Sequence, residues 1–215
     1  MNNRVVLIAA IMAGFLALGA GLGMYTARLQ APATPAHPGI EGLLWPNPKQ
    51  IGPFSAVTQH GGNFGLGELA GKWSFLFFGY THCPDICPLT LTALNEVYRE
   101  LAQADAAGNV QIVFVTVDPE RDTPEQLAGY VNYFNSDFIG LGGTREQIES
   151  LTRQIGVVSM RGNGTSPDDY TVDHTAAVFL LDPAVRLVGL FSAPQVVEDA
   201  VTRFLAIRDF LGKQS

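Results

Sequence analysis

The segment Trp73-Ser-Phe-Leu-Phe-Phe-Gly79 runs without a charge into Tyr80-Thr-His-Cys-Pro-Asp-Ile-Cys-Pro88, which carries the only two cysteines of the chain. A continuous apolar run of this kind suits a strand buried on both faces. Pro88 then limits where the next helix begins, because proline is tolerated only in the first helical turn and pushes the preceding residue toward extended geometry. The pattern predicts strand, loop and helix, with Cys83 in the loop and Cys87 at the helix entrance. Free backbone N–H groups there favour negative charge and so stabilise a thiolate. Three intervening residues also bring the sulfurs within reach of each other or of a shared metal, since a disulfide needs Cα atoms only about 4.4–6.8 Å apart. Two inert core cysteines are the plain alternative, but such residues have no reason to sit between prolines at a strand exit.

The rest of the chain supplies a frame for this junction. Ile112 to Val117 is a second apolar strand, and Leu94, Val97, Tyr98 and Leu101 between the two repeat at helical spacing. Thr123-Pro-Glu-Gln126 and Thr144-Arg-Glu-Gln147 are capping boxes that open two further helices, the first with Pro124 at its first position and the second closed by Gly156. Ala176 to Leu181 and Leu187 to Phe191 flank Asp182-Pro-Ala-Val-Arg186 as a hairpin, and a last helix from near Pro194 shows Val197, Val201, Phe204 and Leu205 on one face. The order predicts an α/β protein with a central mixed sheet flanked by helices. With two cysteines at the first strand-to-helix junction, that order looks like a thioredoxin-like fold.

Ahead of this domain, expected over residues 51–215, no charged residue occurs from Val5 to Ala27. Those 23 residues would make a helix of about 34 Å, enough for a hydrocarbon core of roughly 30 Å. Residues 1–29 therefore read as one N-terminal transmembrane helix; a cleaved signal, with Ala31-Pro-Ala33 as a cut site, is the alternative. Arg4 and the amino terminus against Arg28 orient the bulk of the chain outside the cytoplasm, where disulfides form and persist. Six of the 13 prolines fall between Gln30 and Pro53, so residues 30–50 read as a semi-rigid linker. The formal charge of −7 leaves no footprint for nucleic acid, whose binders cluster Lys and Arg.

Two thiolates seldom complete a metal site, and four histidines are available as a third donor. His37 lies in the linker and His60 in a turn at His60-Gly-Gly-Asn63, where solvent exposure is the simpler reading. His82 adjoins Cys83, and neighbouring side chains tend to point apart. His174 precedes the buried strand in Val172-Asp-His-Thr-Ala176, and in a thioredoxin-like fold the loop entering that strand faces the cysteine loop; a purely structural loop histidine is the competing reading. Thiolates are soft ligands that select Cu(I), and cupric copper heads the divalent affinity order. Zinc as a structural ion would want a fourth protein ligand from Asp85, Asp118 or Asp173. Asp118 and Asp173 read equally as partners orienting His174 or its loop and as ordinary turn residues.

Phe78-Gly-Tyr-Thr-His-Cys-Pro-Asp-Ile-Cys-Pro88, Val115-Thr-Val-Asp-Pro-Glu-Arg-Asp-Thr-Pro124 and Asp173-His174 before a strand together resemble the Sco/SenC family of membrane-anchored copper proteins. The resemblance implies Cu(I) or Cu(II) held by Cys83, Cys87 and His174. It also implies assistance in assembling the dinuclear copper centre of cytochrome c oxidase subunit II, by handing over copper obtained from a donor protein or by reducing that subunit's cysteines through the Cys83–Cys87 pair. Met160 to Tyr170, with Gly162-Asn-Gly164, is similar to the family's mobile segment. Without a long basic, serine-rich leader, the chain reads as a bacterial inner-membrane protein with its domain in the periplasm. The competing function is a thiol-disulfide oxidoreductase, a peroxiredoxin-like enzyme or a redox sensor, for which His174 need not be a ligand.

Overall fold

The computed structural model describes residues 12–14, 44–162, 170–192 and 197–213. Among the described residues from 44 onward, ten strands and five helices follow in chain order. They are β1 (Leu44–Gln50), β2 (Ala56–Thr58), β3 (Asn63–Phe64), α1 (Leu66–Leu69), β4 (Trp73–Gly79), α2 (Ile86–Gln103), β5 (Val110–Thr116) and α3 (Pro124–Phe134). After them come β6 (Ile139–Gly142), α4 (Arg145–Ile155), β7 (Ser159–Arg161), β8 (Val172–His174), β9 (Ala177–Leu181), β10 (Arg186–Ser192) and α5 (Val197–Gly212). The expected membrane span falls outside the described residues except for 12–14, which are helical. Among the described residues no helix is long and apolar enough to cross a membrane.

Eight strands form one mixed sheet in the order β1-β10-β9-β4-β5-β6-β2-β3, and β7 and β8 form a separate two-stranded ribbon. β4 pairs parallel to β5, with Gly79 opposite Thr116, and antiparallel to β9, with Phe77 opposite Val178. All seven residues of β4 and all seven of β5 are buried, as the continuous apolar runs require. The pleat splits β4 between two cores. Trp73, Phe75 and Phe77 pack with Leu91, Leu94, Leu127 and Phe204 on one face, while Leu76, Phe78 and Tyr80 pack with Ile148, Leu151 and Ile155 on the other. Burying a side chain as completely as Phe77 or Phe78 contributes about 1.5–3 kcal/mol.

The helix signals act where the sequence places them. Thr123 and Thr144 each accept from the backbone N–H three residues on, completing both capping boxes, and Gly156 closes α4 at φ 90° in the left-handed region that favours glycine. The β9–β10 hairpin forms around Asp182, whose buried carboxylate accepts from Ala184 N, Arg186 N and Arg186 Nε.

Several elements depart from the expectation: β2, β3, α1 and the β7–β8 ribbon were not expected, and His174, expected in a loop, ends β8. The proline-rich stretch expected to be linker through residue 50 contributes β1, antiparallel to β10. An edge strand tolerates Pro46 and Pro48 because one row of its backbone groups needs no partner. β6 was not expected at all, since Ile-Gly-Leu-Gly is a weak strand signal. Its glycines serve packing: a Cβ at Gly142 would come within 2.9 Å of Leu127 Cδ1, and one at Gly140 within 3.3 Å of Val131 Cγ1.

Candidate metal centre

β4 stops at Gly79, Tyr80 stays buried, and a turn with Cys83 N donating to Tyr80 O at 3.2 Å carries the chain into α2. Cys87 lies in the first turn of α2 and is fully buried; Cys83 is half-exposed in the loop. Gly79 creates the space for this, because a Cβ there would lie 2.8 Å from both Cys87 Sγ and Phe114 Cε2. The loop is fastened by Asp122, a buried carboxylate that accepts from Thr81 N (3.0 Å), Thr81 Oγ1 (2.6 Å) and Thr116 Oγ1 (2.5 Å).

His174 reaches the same place from β8. Its Nε2 is 3.5 Å from Cys87 Sγ, and the donor atoms of Cys83, Cys87 and His174 all lie within 4.8 Å of one another. Nδ1 faces the Thr175 carbonyl at 3.3 Å, and Nε2 is the nitrogen turned toward the sulfurs. Tyr80 and Phe77 hold the ring edge-on, at centroid distances of 6.0 and 6.2 Å.

The two sulfurs are free thiols with opposite acidities. A hydrogen bond from Cys87 lowers the pKa of Cys83 to about 3; burial works against the shift, while His174 and the backbone N–H groups of Asp85 and Cys87 add to it. The same sulfur–sulfur hydrogen bond, reinforced by burial, drives Cys87 upward. In the metal-free site Cys83 is thus the thiolate and Cys87 the proton donor.

The other candidates lie elsewhere. His82 Nδ1 turns to Thr81 Oγ1 (3.1 Å) and toward Asp122 (3.7 Å), His60 is exposed, and His37 lies outside the described residues. Asp118 accepts from Tyr170 and Arg121 and makes no hydrogen bond to His174 itself; Asp85 and Asp173 are exposed. Among the described residues the metal-capable group is limited to two thiols and one imidazole, without the fourth ligand of a structural zinc site. Sequence reasoning missed Asp122, Tyr80 and Arg121. Asp122 and Arg121 stood in the Asp118-Pro-Glu-Arg-Asp122 run, but nothing in that run names Thr81 or Tyr80 as a partner.

A strand-exit dithiol facing an imidazole at the end of β8, on a thioredoxin-like fold, defines a soft-metal or redox site. The SCO1/SenC family profile matches residues 46–207, and the chain belongs to that family. A SCO2-like protein of Rickettsia felis is 34% identical over 183 residues, covering 85% of this chain and 87% of its own. The mitochondrial SCO2 homolog of Bos taurus is 39% identical over 158 residues, covering 72% of this chain; the match spans only 59% of the bovine protein's length. The structure of Arabidopsis thaliana ScoI with copper bound superposes with a TM-score of 0.69 at 35% identity, covering 74% of this chain and 97% of that one.

Proposed function

We propose that this chain binds copper as cargo through Cys83, Cys87 and His174 and delivers it during assembly of cytochrome c oxidase, with subunit II as recipient and a copper protein as donor. The observation that carries the reading is the convergence of two thiols and an imidazole within 4.8 Å, from elements 87 residues apart. The donor chemistry fits the cargo: the thiolates suit Cu(I), and the imidazole adds the borderline donor that helps hold Cu(II). The copper-bound relative of Arabidopsis thaliana supports the choice of metal. The uncharged run from Val5 to Ala27 supports an inner-membrane anchor with the domain in the periplasm.

Metal analysis of the purified chain tests this. The reduced protein takes up one copper per chain and the oxidised protein none; stoichiometric copper persisting in a Cys83→Ser, Cys87→Ser double variant would sink the reading.

A second role is favoured by the unequal thiols. The Cys83 thiolate can attack a disulfide of the recipient, forming a mixed disulfide and releasing one target thiolate. Cys87, once deprotonated, then attacks Cys83 and releases the second target sulfur. Two electrons and the Cys87 proton pass to the target, with a second proton taken from solvent, as Cys83 and Cys87 become a disulfide. A Cys87→Ser variant that traps the mixed disulfide with oxidised recipient supports this role, and one that traps none counts against it.

A further inference from the structure

His174 is not carried by the main sheet. It ends β8 of the two-stranded ribbon, whose other strand, Ser159–Arg161, is exposed throughout. Two strands alone are marginally stable in water, so the position of the imidazole depends on what ties the ribbon down. Tyr170, two residues before β8, is 8% exposed and donates its hydroxyl to the buried Asp118 at 2.8 Å. Asp118 also accepts from Arg121 Nε at 2.6 Å. The guanidinium carbons of Arg121 and Arg161 each lie 3.5 Å from the centre of the Tyr170 ring, which places them on opposite faces. Arg121 also stands 5.8 Å over the Tyr80 ring, and Tyr80 in turn meets His174 edge-on. A continuous stack therefore runs Arg161, Tyr170, Arg121, Tyr80, His174, from the exposed ribbon to the metal centre.

We propose that Tyr170, clamped between Arg121 and Arg161 and tied to Asp118, is the positioning residue that brings His174 to the cysteine pair and so selects the three-donor site over a two-thiolate site. Planar guanidinium groups stack on aromatic faces, and sandwiching one ring between two of them fixes its plane as well as its place. The cysteines are held independently through Asp122, so loosening the clamp moves the imidazole and leaves the thiols in position. This inference rests on the copper reading, with copper as the probe.

The test uses the full-length chain in mild detergent, as Tyr170→Leu, Tyr170→Phe and Arg161→Leu variants, with Tyr133→Leu, at an exposed position of α3, as control. Cu(II) and Cu(I) affinities are measured by competition, and amide hydrogen exchange is followed across β7 and β8 without metal. Tyr170→Leu weakens Cu(II) about tenfold and Cu(I) by less than about twofold, and speeds exchange of the ribbon amides about tenfold. Tyr170→Phe, which keeps the stack, recovers most of both losses, and Arg161→Leu weakens Cu(II) about threefold. Unchanged Cu(II) affinity and exchange in Tyr170→Leu, or equal losses for both ions, overturn the proposal. Should Tyr170→Leu fail to fold, Arg161→Leu decides, and an unchanged Cu(II)-to-Cu(I) ratio overturns it. Should the parent chain bind no copper, the copper reading falls while the exchange measurement still decides the clamp.

Discussion

The cysteine loop and the His174 ribbon meet at one point but are held in different ways. The loop is the direct outlet of a fully buried strand and the inlet of an 18-residue helix, and Asp122 satisfies three donors around Thr81 beneath it. The ribbon is a separate two-stranded sheet with an exposed outer strand, linked to the body through the buried Val172, ring stacking and the Tyr170 hydroxyl. A rigid dithiol facing a more loosely held imidazole suits a protein that must acquire an ion and then surrender it, because one donor can withdraw while two remain.

The largest expected effect lies on the rigid side: replacing Cys83 and Cys87 together with serine abolishes copper binding, read by metal analysis after desalting. Next is the difference between the two thiols in the metal-free protein. With its pKa lowered to about 3, Cys83 stays a thiolate as pH falls from 8 to about 5, while the raised Cys87 stays protonated throughout. Iodoacetamide labelling followed by peptide mapping therefore finds Cys83 modified with little pH dependence over that range and Cys87 spared. Equal labelling that falls away below the ordinary thiol pKa of about 8.5 would show that the pair is not polarised.

On the looser side, His174→Ala weakens Cu(II) by more than the 10–100-fold loss typical of removing an outer partner of a metal site, and Cu(I) by much less. His82→Ala stays within about threefold for both ions, because its ring faces Asp122. The reverse ranking in a copper titration would assign the third ligand to His82 and remove the ribbon from the site. A last variant, read as stability, separates anchoring from ligation: Asp122→Ala leaves the donors of Thr81 and Thr116 without their acceptor, costing about 1–3 kcal/mol each where buried. Thermal unfolding reads that loss, and a variant with wild-type melting would mean the loop does not depend on Asp122.

Much of this molecule follows from local physics, and those parts were legible in the chain. Pro88 limits the start of α2, the threonine capping boxes open α3 and α4, Gly156 ends α4, and unbroken apolar runs can only be β4 and β5, because each signal acts over a few residues. Cys83 and Cys87 belong to that set, since the turn that joins them is short. Other features depend on neighbours that sequence distance hides. β6 is a strand because α3 packs closely over Gly140 and Gly142, and β1 is a strand because β10 offers it an edge. The choice of His174 over His82 is of the same kind. Adjacency in the chain already told against His82, and Asp122, 40 residues further on, is what draws that ring aside. His174 arrives from 87 residues after Cys87, through a stack whose members lie in four separate stretches of sequence. Only folding brings those stretches together, so the thiols could be read from the sequence, whereas the placement of the imidazole was settled by tertiary packing.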